Sequence, residues 1–192
     1  MKKLLVPLFI LGLLSFVPQV PPQINVMAAA QGTETLTLDG ACDCRTFRLN
    51  RVDPAATDEG AGGDTFVIRG KIFPSGTIPA GGTFENPSPV GPDSPGSVGD
   101  WHCRGTILVS DAEAAAGVKP AASLTQHYLL NQFKDSLVIE QALVDFGADT
   151  ADQALVGGIG TYGGVTGAAR LEILGVNNTG CPNFRTAFTI KR

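Results

Sequence analysis

Histidine is almost missing from this chain. His102 and His127 are the only two among 192 residues. No G-x-S-x-G segment is present either, so the nucleophile-plus-base pattern of a Ser-His-Asp hydrolase is absent. Runs of basic residues are also lacking. The 14 Lys and Arg against 18 Asp and Glu give a net charge of −4, and a mildly acidic chain without basic clusters is poorly suited to neutralise nucleic-acid phosphates. Beyond residue 30, no apolar run approaches the ~20 residues that a membrane-spanning helix needs. Helical patterns are scarce. The one helix-like stretch, Asp111–Ser123, is limited by Gly117 and Pro120 to a turn or two.

What is present begins with a basic n-region, Lys2 and Lys3, and an apolar run, Leu4 to Val17. Ala28 and Ala30 then supply the small residues of an A-x-A cleavage site before Gln31. This is the pattern of a secretory signal peptide over 1–30, and an uncleaved anchor is the alternative. Both place the rest of the chain outside the cytoplasm, secreted or periplasmic. Residues 31–192 make a single domain, large enough to bury about 70% of its unfolded surface.

The four cysteines are Cys42, Cys44, Cys103 and Cys181. An even count in an exported chain reads as two disulfides. Cys42 and Cys44 would sit ~7 Å apart along one strand, at the outer limit for bridging each other. They are expected to pair with Cys103 and Cys181, in an order that spacing leaves open. A metal site built from "CDC" and "WHC", with His102 as a nitrogen ligand, is the alternative. It lacks C-x-x-C spacing, and no metal is expected.

Two-residue alternation dominates the remainder. "TLTLD", "RTFRLNRV", "DTFVIRGKIF", "WHCRGTILV" and "FRTAFTIKR" each put apolar side chains on one face and polar ones on the other. "DSLVIEQALVDF" is apolar on both faces, as in a strand covered on both sides, or as in a helix of similar length. A Gly/Pro-rich loop over 74–100 is longer than the ~15 residues usual for a connection, which points to function or disorder. The sum is an all-β sandwich or barrel.

One motif argues for something else. Gly158, Gly160 and Gly163 fit G-x-G-x-x-G, the dinucleotide-binding fingerprint. That fingerprint needs a following helix, an acid ~20 residues on and a βαβ setting. Here Gly164 and Gly167 fall where the helix would start, "NNTG" stands where the acid should be, and strands surround the motif. A tight turn between two strands accounts for the glycines instead.

The same stretch, "ALVGGIGTYGGVTGAARL", resembles the V-V-G-G-T-G-x-[FY]-x-x-A-x-G hairpin of the allene oxide cyclase and dirigent β-barrel superfamily. "HYLLNQFKDSLVIEQAL" is similar to the family's preceding hairpin, and "GDTFVIRGKIFPSGT" and "GDWHCRGTILVSD" to its earlier strands and to secreted bacterial relatives. Ile159 stands where the family has Thr, and an extra "GVTG" follows the turn. The resemblance implies an eight-stranded antiparallel barrel, here with a short extra N-terminal strand. It further implies an apolar interior cavity, a homotrimer and no metal or organic cofactor. It carries over no catalytic residue.

If apolar faces point inward, Arg69, Lys71, His102, Arg104, Arg170 and Glu172 belong to a solvated exterior. Phe66, Trp101, Phe184 and Phe188 would line a ligand site. Glu140 and Tyr128 are the candidates for acid–base chemistry, with Asp145 and His127 behind them. Three functions fit this picture: a barrel that binds a small apolar ligand, a cofactor-free cyclase or dirigent-like protein steering a reactive intermediate, and a structural extracellular protein with a packed interior.

Overall fold

A computed structural model describes residues 32–55, 62–80, 90–119, 121–145 and 148–192, excepting the side chains of 111, 114 and 142–145. The expected signal peptide, 1–30, and the centre of the long loop lie outside the described residues.

Eight strands close into one antiparallel barrel in strictly sequential order. They are β1 (Thr33–Asn50), β2 (Thr65–Pro74), β3 (Gly99–Ile107), β4 (Ala121–Leu130), β5 (Asp135–Asp145), β6 (Thr150–Ile159), β7 (Thr166–Val176) and β8 (Pro182–Lys191). Each pairs with its chain neighbours, and β1 closes on β8 with Thr33 opposite Lys191. Among the described residues, closure leaves no barrel strand without a neighbour on either side.

The alternation does most of the sorting. Phe66, Ile68 and Ile72 of β2, Trp101 and Cys103 of β3, and Phe184, Phe188 and Ile190 of β8 all join one buried cluster. Their odd-even partners, among them Val67, Arg69, Arg104, Ala187 and Thr189, are exposed. The helix-like stretch is a single turn, α1 (Asp111–Ala115). A reciprocal cap opens it: Ser110 N donates to Glu113 Oε2 at 2.8 Å, and Glu113 N donates to Ser110 Oγ at 3.3 Å.

One expectation is corrected. "TLTLD" and "RTFRLNRV" are not an extra strand followed by a barrel strand; both belong to β1. What separates them is a bulge. Asp43 Oδ1 accepts the backbone N–H of Arg45 at 3.0 Å, and Thr46 Oγ1 donates to the Asp43 carbonyl at 2.7 Å. These local bonds displace the ladder, and the register with β2 shifts between Asp43 and Arg48.

A strand buried on both sides is β1, and of the second face expected to be covered in β5, Ala142, Val144 and Phe146 lie outside the described side chains. Leu38 to Asp43 are buried without a break, whereas in β5 Val138 is half-buried and Glu140 exposed. A second, outer cluster of Ala41, Phe73, Ile78 and Leu174 packs under the described ends of the long loop, with Val90 against it. Asp39 fastens this cover. Its carboxylate accepts Gly76 N and Ile78 N, each at 2.9 Å, and Arg185 Nε at 2.8 Å. That geometry satisfies a fully buried charge, the condition under which burying one is tolerated.

The glycine motif is a turn. After Ile159 the chain makes one 3-10 turn, Gly160–Tyr162, and β7 follows where a Rossmann helix would begin. A side chain at Gly158 would collide with the Ser136 carbonyl. One at Gly160, where φ is +63°, would collide with the Lys134 carbonyl and the Asp135 carboxylate. The glycines let the β6–β7 turn lie against the β4–β5 hairpin. Asp135 Oδ1 then accepts Thr161 N at 2.8 Å, a bond that holds its carboxyl below the usual range.

Candidate functional site

The barrel interior gathers the four aromatic residues that sequence marks for ligand contact. Phe66, Trp101, Phe184 and Phe188 are all buried in it. Gly40, opposite Phe184 in register, leaves room for its ring. Trp101 packs on Phe184 with ring centroids 5.0 Å apart. Tyr128 meets Phe188 edge-on at 5.0 Å.

Polar atoms interrupt this apolar lining at a few points, each on an inward position of its strand. Trp101 Nε1 donates to Gln126 Oε1 at 2.9 Å. The Tyr128 hydroxyl lies 2.8 Å from Thr186 Oγ1 and donates to Gln126 Oε1 at 3.4 Å. Burial pushes the Tyr128 phenol well above its ordinary value, against the smaller opposing effect of Thr186. Tyr128 is therefore a neutral donor inside the barrel rather than a base.

Alternation alone does not single out Gln153. On β6 it faces Ala169 of β7, which faces Phe188 of β8, so the three form one inward row. Gln153 Nε2 donates to Gln141 Oε1 at 3.0 Å. Its own Oε1 is buried and has no hydrogen-bond partner. Native interiors leave few such acceptors, and each calls for a physical reason.

The remaining candidates separate by face. Glu140 projects from the outer wall opposite Thr125 and is exposed. His127 also points outward, next to His102 across the β3–β4 ladder. The side chain of Asp145 lies outside the described residues. Arg170 and Glu172 are exposed on the outer wall, as alternation requires.

The cysteine expectation is met by one bridge of its two. Cys44 and Cys181 form a disulfide that ties β1 to the turn before β8. Cys42 and Cys103 keep free, buried thiols. Strand order explains the difference. Cys42 is opposite Gly70, Gly70 is opposite Trp101, and Cys103 is two residues further along β3. With β2 between them and a two-residue offset along the strands, their backbones are ~12 Å apart, beyond the ~7 Å that a disulfide spans. Burial pushes the Cys103 thiol up to about 12 and the Cys42 thiol higher still. A joint metal site with His102 is not assembled, because His102 points outward and Cys103 inward on adjacent positions.

The two clefts that stand out open on the outer wall. One, of about 410 Å³, is lined by Asp43, Arg69, Lys71, Asp100, His102 and Phe133 among others. The other, of about 260 Å³, is lined by Val67, Arg69, His102, Arg104 and His127 with the inner-facing Ile68 and Cys103 behind.

No family model and no curated protein matches the chain. Solved structures do. A pyocyanin demethylase is 13% identical with a TM-score of 0.52, over 82% of this chain and 99% of that one. The pterocarpan synthase dirigent protein GePTS1 is 14% identical with a TM-score of 0.53, over 84% of each chain. The pterocarpan synthase dirigent protein PsPTS1 is 13% identical with a TM-score of 0.54, over 83% of this chain and 94% of that one. At these identities the likeness is one of fold. The barrel expected from the glycine hairpin is the dirigent-like barrel, and the chain has it.

Proposed function

We propose that this chain is a secreted barrel that binds a small, largely apolar molecule in its interior, with one hydrogen-bond donor of that molecule directed at Gln153 Oε1. The unpartnered, buried oxygen of Gln153 carries the reading. It sits in one inward row with Ala169 and Phe188. An apolar cavity with a few placed polar groups is the usual form of a small-molecule site. The names of the similar structures are those of proteins acting on small molecules, pyocyanin in one and pterocarpans in the others. The signal-peptide pattern and the Cys44–Cys181 bridge support an exported location.

A second reading has its own observation. Tyr128 is a fully buried ionisable group in the interior lining, and Thr186 fixes its hydroxyl. A barrel that steers a reactive intermediate without a cofactor would use it as a positioned neutral donor. Glu140, on the outer wall, would take no part in that interior chemistry.

Native mass spectrometry of the chain secreted by its own host, beside Gln153→Leu, tests the proposal. The expected result is a co-purifying small molecule on the wild type and at least a tenfold loss of it on the variant, with the variant as stable as the wild type or more so. A wild type that carries nothing, together with a variant about 1 kcal/mol more stable, would mean a packed structural barrel. Tyr128→Phe separates the two binding readings. It leaves retention intact if the barrel only binds, and abolishes conversion of the retained molecule if it steers chemistry.

A further inference from the structure

The outer wall of β2, β3 and β4 carries a row that the interior reading does not use. Arg69, His102 and His127 are neighbours across the three strands, and Val67, Arg104 and Thr125 form the next row. Neighbouring strands are ~4.8 Å apart and same-face residues ~6.8 Å apart along a strand. Arg69, Arg104 and both histidines therefore surround one spot about 10 Å across. They line the cleft of about 260 Å³, which shares Arg69 and His102 with the larger cleft beside it.

The surrounding charges leave this spot cationic. On β1, Asp43 lies opposite Arg69 but is held by Arg45, Nε to Oδ1 at 2.8 Å. Arg45 also reaches Asp93 at 2.8 Å. On β3, Asp100 is paired with Lys71 of β2. Arg48 of β1 donates to the backbone carbonyls of Arg45 and Phe47. On β5, the residue opposite His127 is Val138, and the exposed Glu140 is opposite Thr125. Among the described residues, neither the Arg69 nor the Arg104 guanidinium has a carboxylate partner. An acidic protein thus keeps two uncompensated guanidiniums beside its only two histidines.

We propose that this cleft binds a tetrahedral oxyanion, a phosphate or sulfate group, between Arg69 and Arg104 with His102 and His127 as further donors. Two cross-strand histidines could also chelate a divalent metal ion, but flanking guanidiniums repel a cation and attract an anion. Desolvation first, and then Arg69 on His102 and Arg104 on His127, hold both imidazoles below their ordinary value. A bound anion opposes the push of the arginines, so binding takes up protons and tightens as pH falls.

His102 and His127 give the only two imidazole signals in an NMR spectrum of the chain, so the test is direct. The probes are inorganic phosphate, inorganic sulfate and phenyl phosphate, against chloride at matched ionic strength. Both signals are expected to shift saturably, with affinity rising between about pH 7.5 and about pH 5.5. Arg104→Gln should weaken binding about tenfold, and Arg69→Gln with Arg104→Gln should remove it. Phenyl phosphate binding more tightly than phosphate would identify an ester as the ligand class, and equal affinities a free ion. Shifts matched by chloride, or retained in the double variant, overturn the proposal. The same double variant should keep any molecule held in the interior, which separates this site from the one at Gln153.

Discussion

The wall formed by β3 and β4 has two faces with opposite habits. Inward, Trp101, Gln126, Tyr128 and, from β8, Thr186 bond to one another within the apolar lining. Outward, one residue away on the same strands, His102, Arg104 and His127 face solvent without a carboxylate partner among the described residues. The contrast follows from the cost of burial. An unpaired polar atom inside loses its water and must be repaid by a partner, whereas an exposed cation keeps its hydration and can wait for a ligand. Among the described residues, Gln153 Oε1 is the inward atom that departs from this rule.

The sharpest way to break the comparison is thiol chemistry. Cys42 and Cys103 are buried, with thiols pushed far up by desolvation. Alkylation should leave the native protein unmodified and add two adducts per chain after denaturation without reductant. A third or fourth adduct would mean that Cys44 and Cys181 are not bridged. Next, Phe184→Ala should cost 3–5 kcal/mol in a denaturant titration, while Arg104→Gln on the outer face changes stability by no more than about 0.5 kcal/mol. Equal costs would dissolve the distinction between the faces. Gln126→Leu leaves Trp101 Nε1 without its acceptor and should cost about 1–3 kcal/mol, read the same way.

Smaller effects sharpen the picture at the rim. The β4–β5 hairpin holds Asn131, Gln132 and Phe133 at φ of 48°, 55° and 68°, all left-handed and none glycine. Gln132→Gly should raise the midpoint of thermal unfolding, by the equivalent of about 1 kcal/mol, because glycine adopts that conformation without strain. The smallest effect is on pH dependence. Both histidines titrate below their ordinary 6.5 in the folded chain. As pH falls through 6.5 the unfolded chain takes up protons first, so stability declines shallowly from there until the folded imidazoles protonate. Arg69→Gln should flatten that decline, and saturating phosphate should flatten it further.

Much of this barrel is legible in the sequence, and the illegible parts share a cause. Alternation places Phe66, Trp101, Phe184 and Phe188 inside, because period two is local to each strand. It also places Arg69, His102 and Arg104 outside. That they form one cleft with His127 depends on the register of three strands, which no single segment encodes. Likewise, nothing local in "LDGACD" announces burial on both sides. That arises because Phe73, Ile78 and Leu174, from distant segments, meet Ala41 there. In "DSLVIEQALVDF" the described part of the second face is half-buried at Val138 and exposed at Glu140, and the rest of that face lies outside the described side chains. Nothing local in the sequence marks Gln153; its place in the inward row with Ala169 and Phe188 and its unpartnered oxygen do.

The pairing of Thr33 with Lys191 has an engineering consequence. The first and last strands are hydrogen-bonded neighbours, so a short linker could join them without crossing the barrel. New ends could then be opened at an exposed turn such as Asn131–Lys134, with the eight-strand ladder unchanged. Such a circular permutant would retain the wall of β2, β3 and β4 with its cleft. It would also move the chain ends to the hairpin beside Phe133, where a reporter fused to them would sit at the edge of the outer cleft.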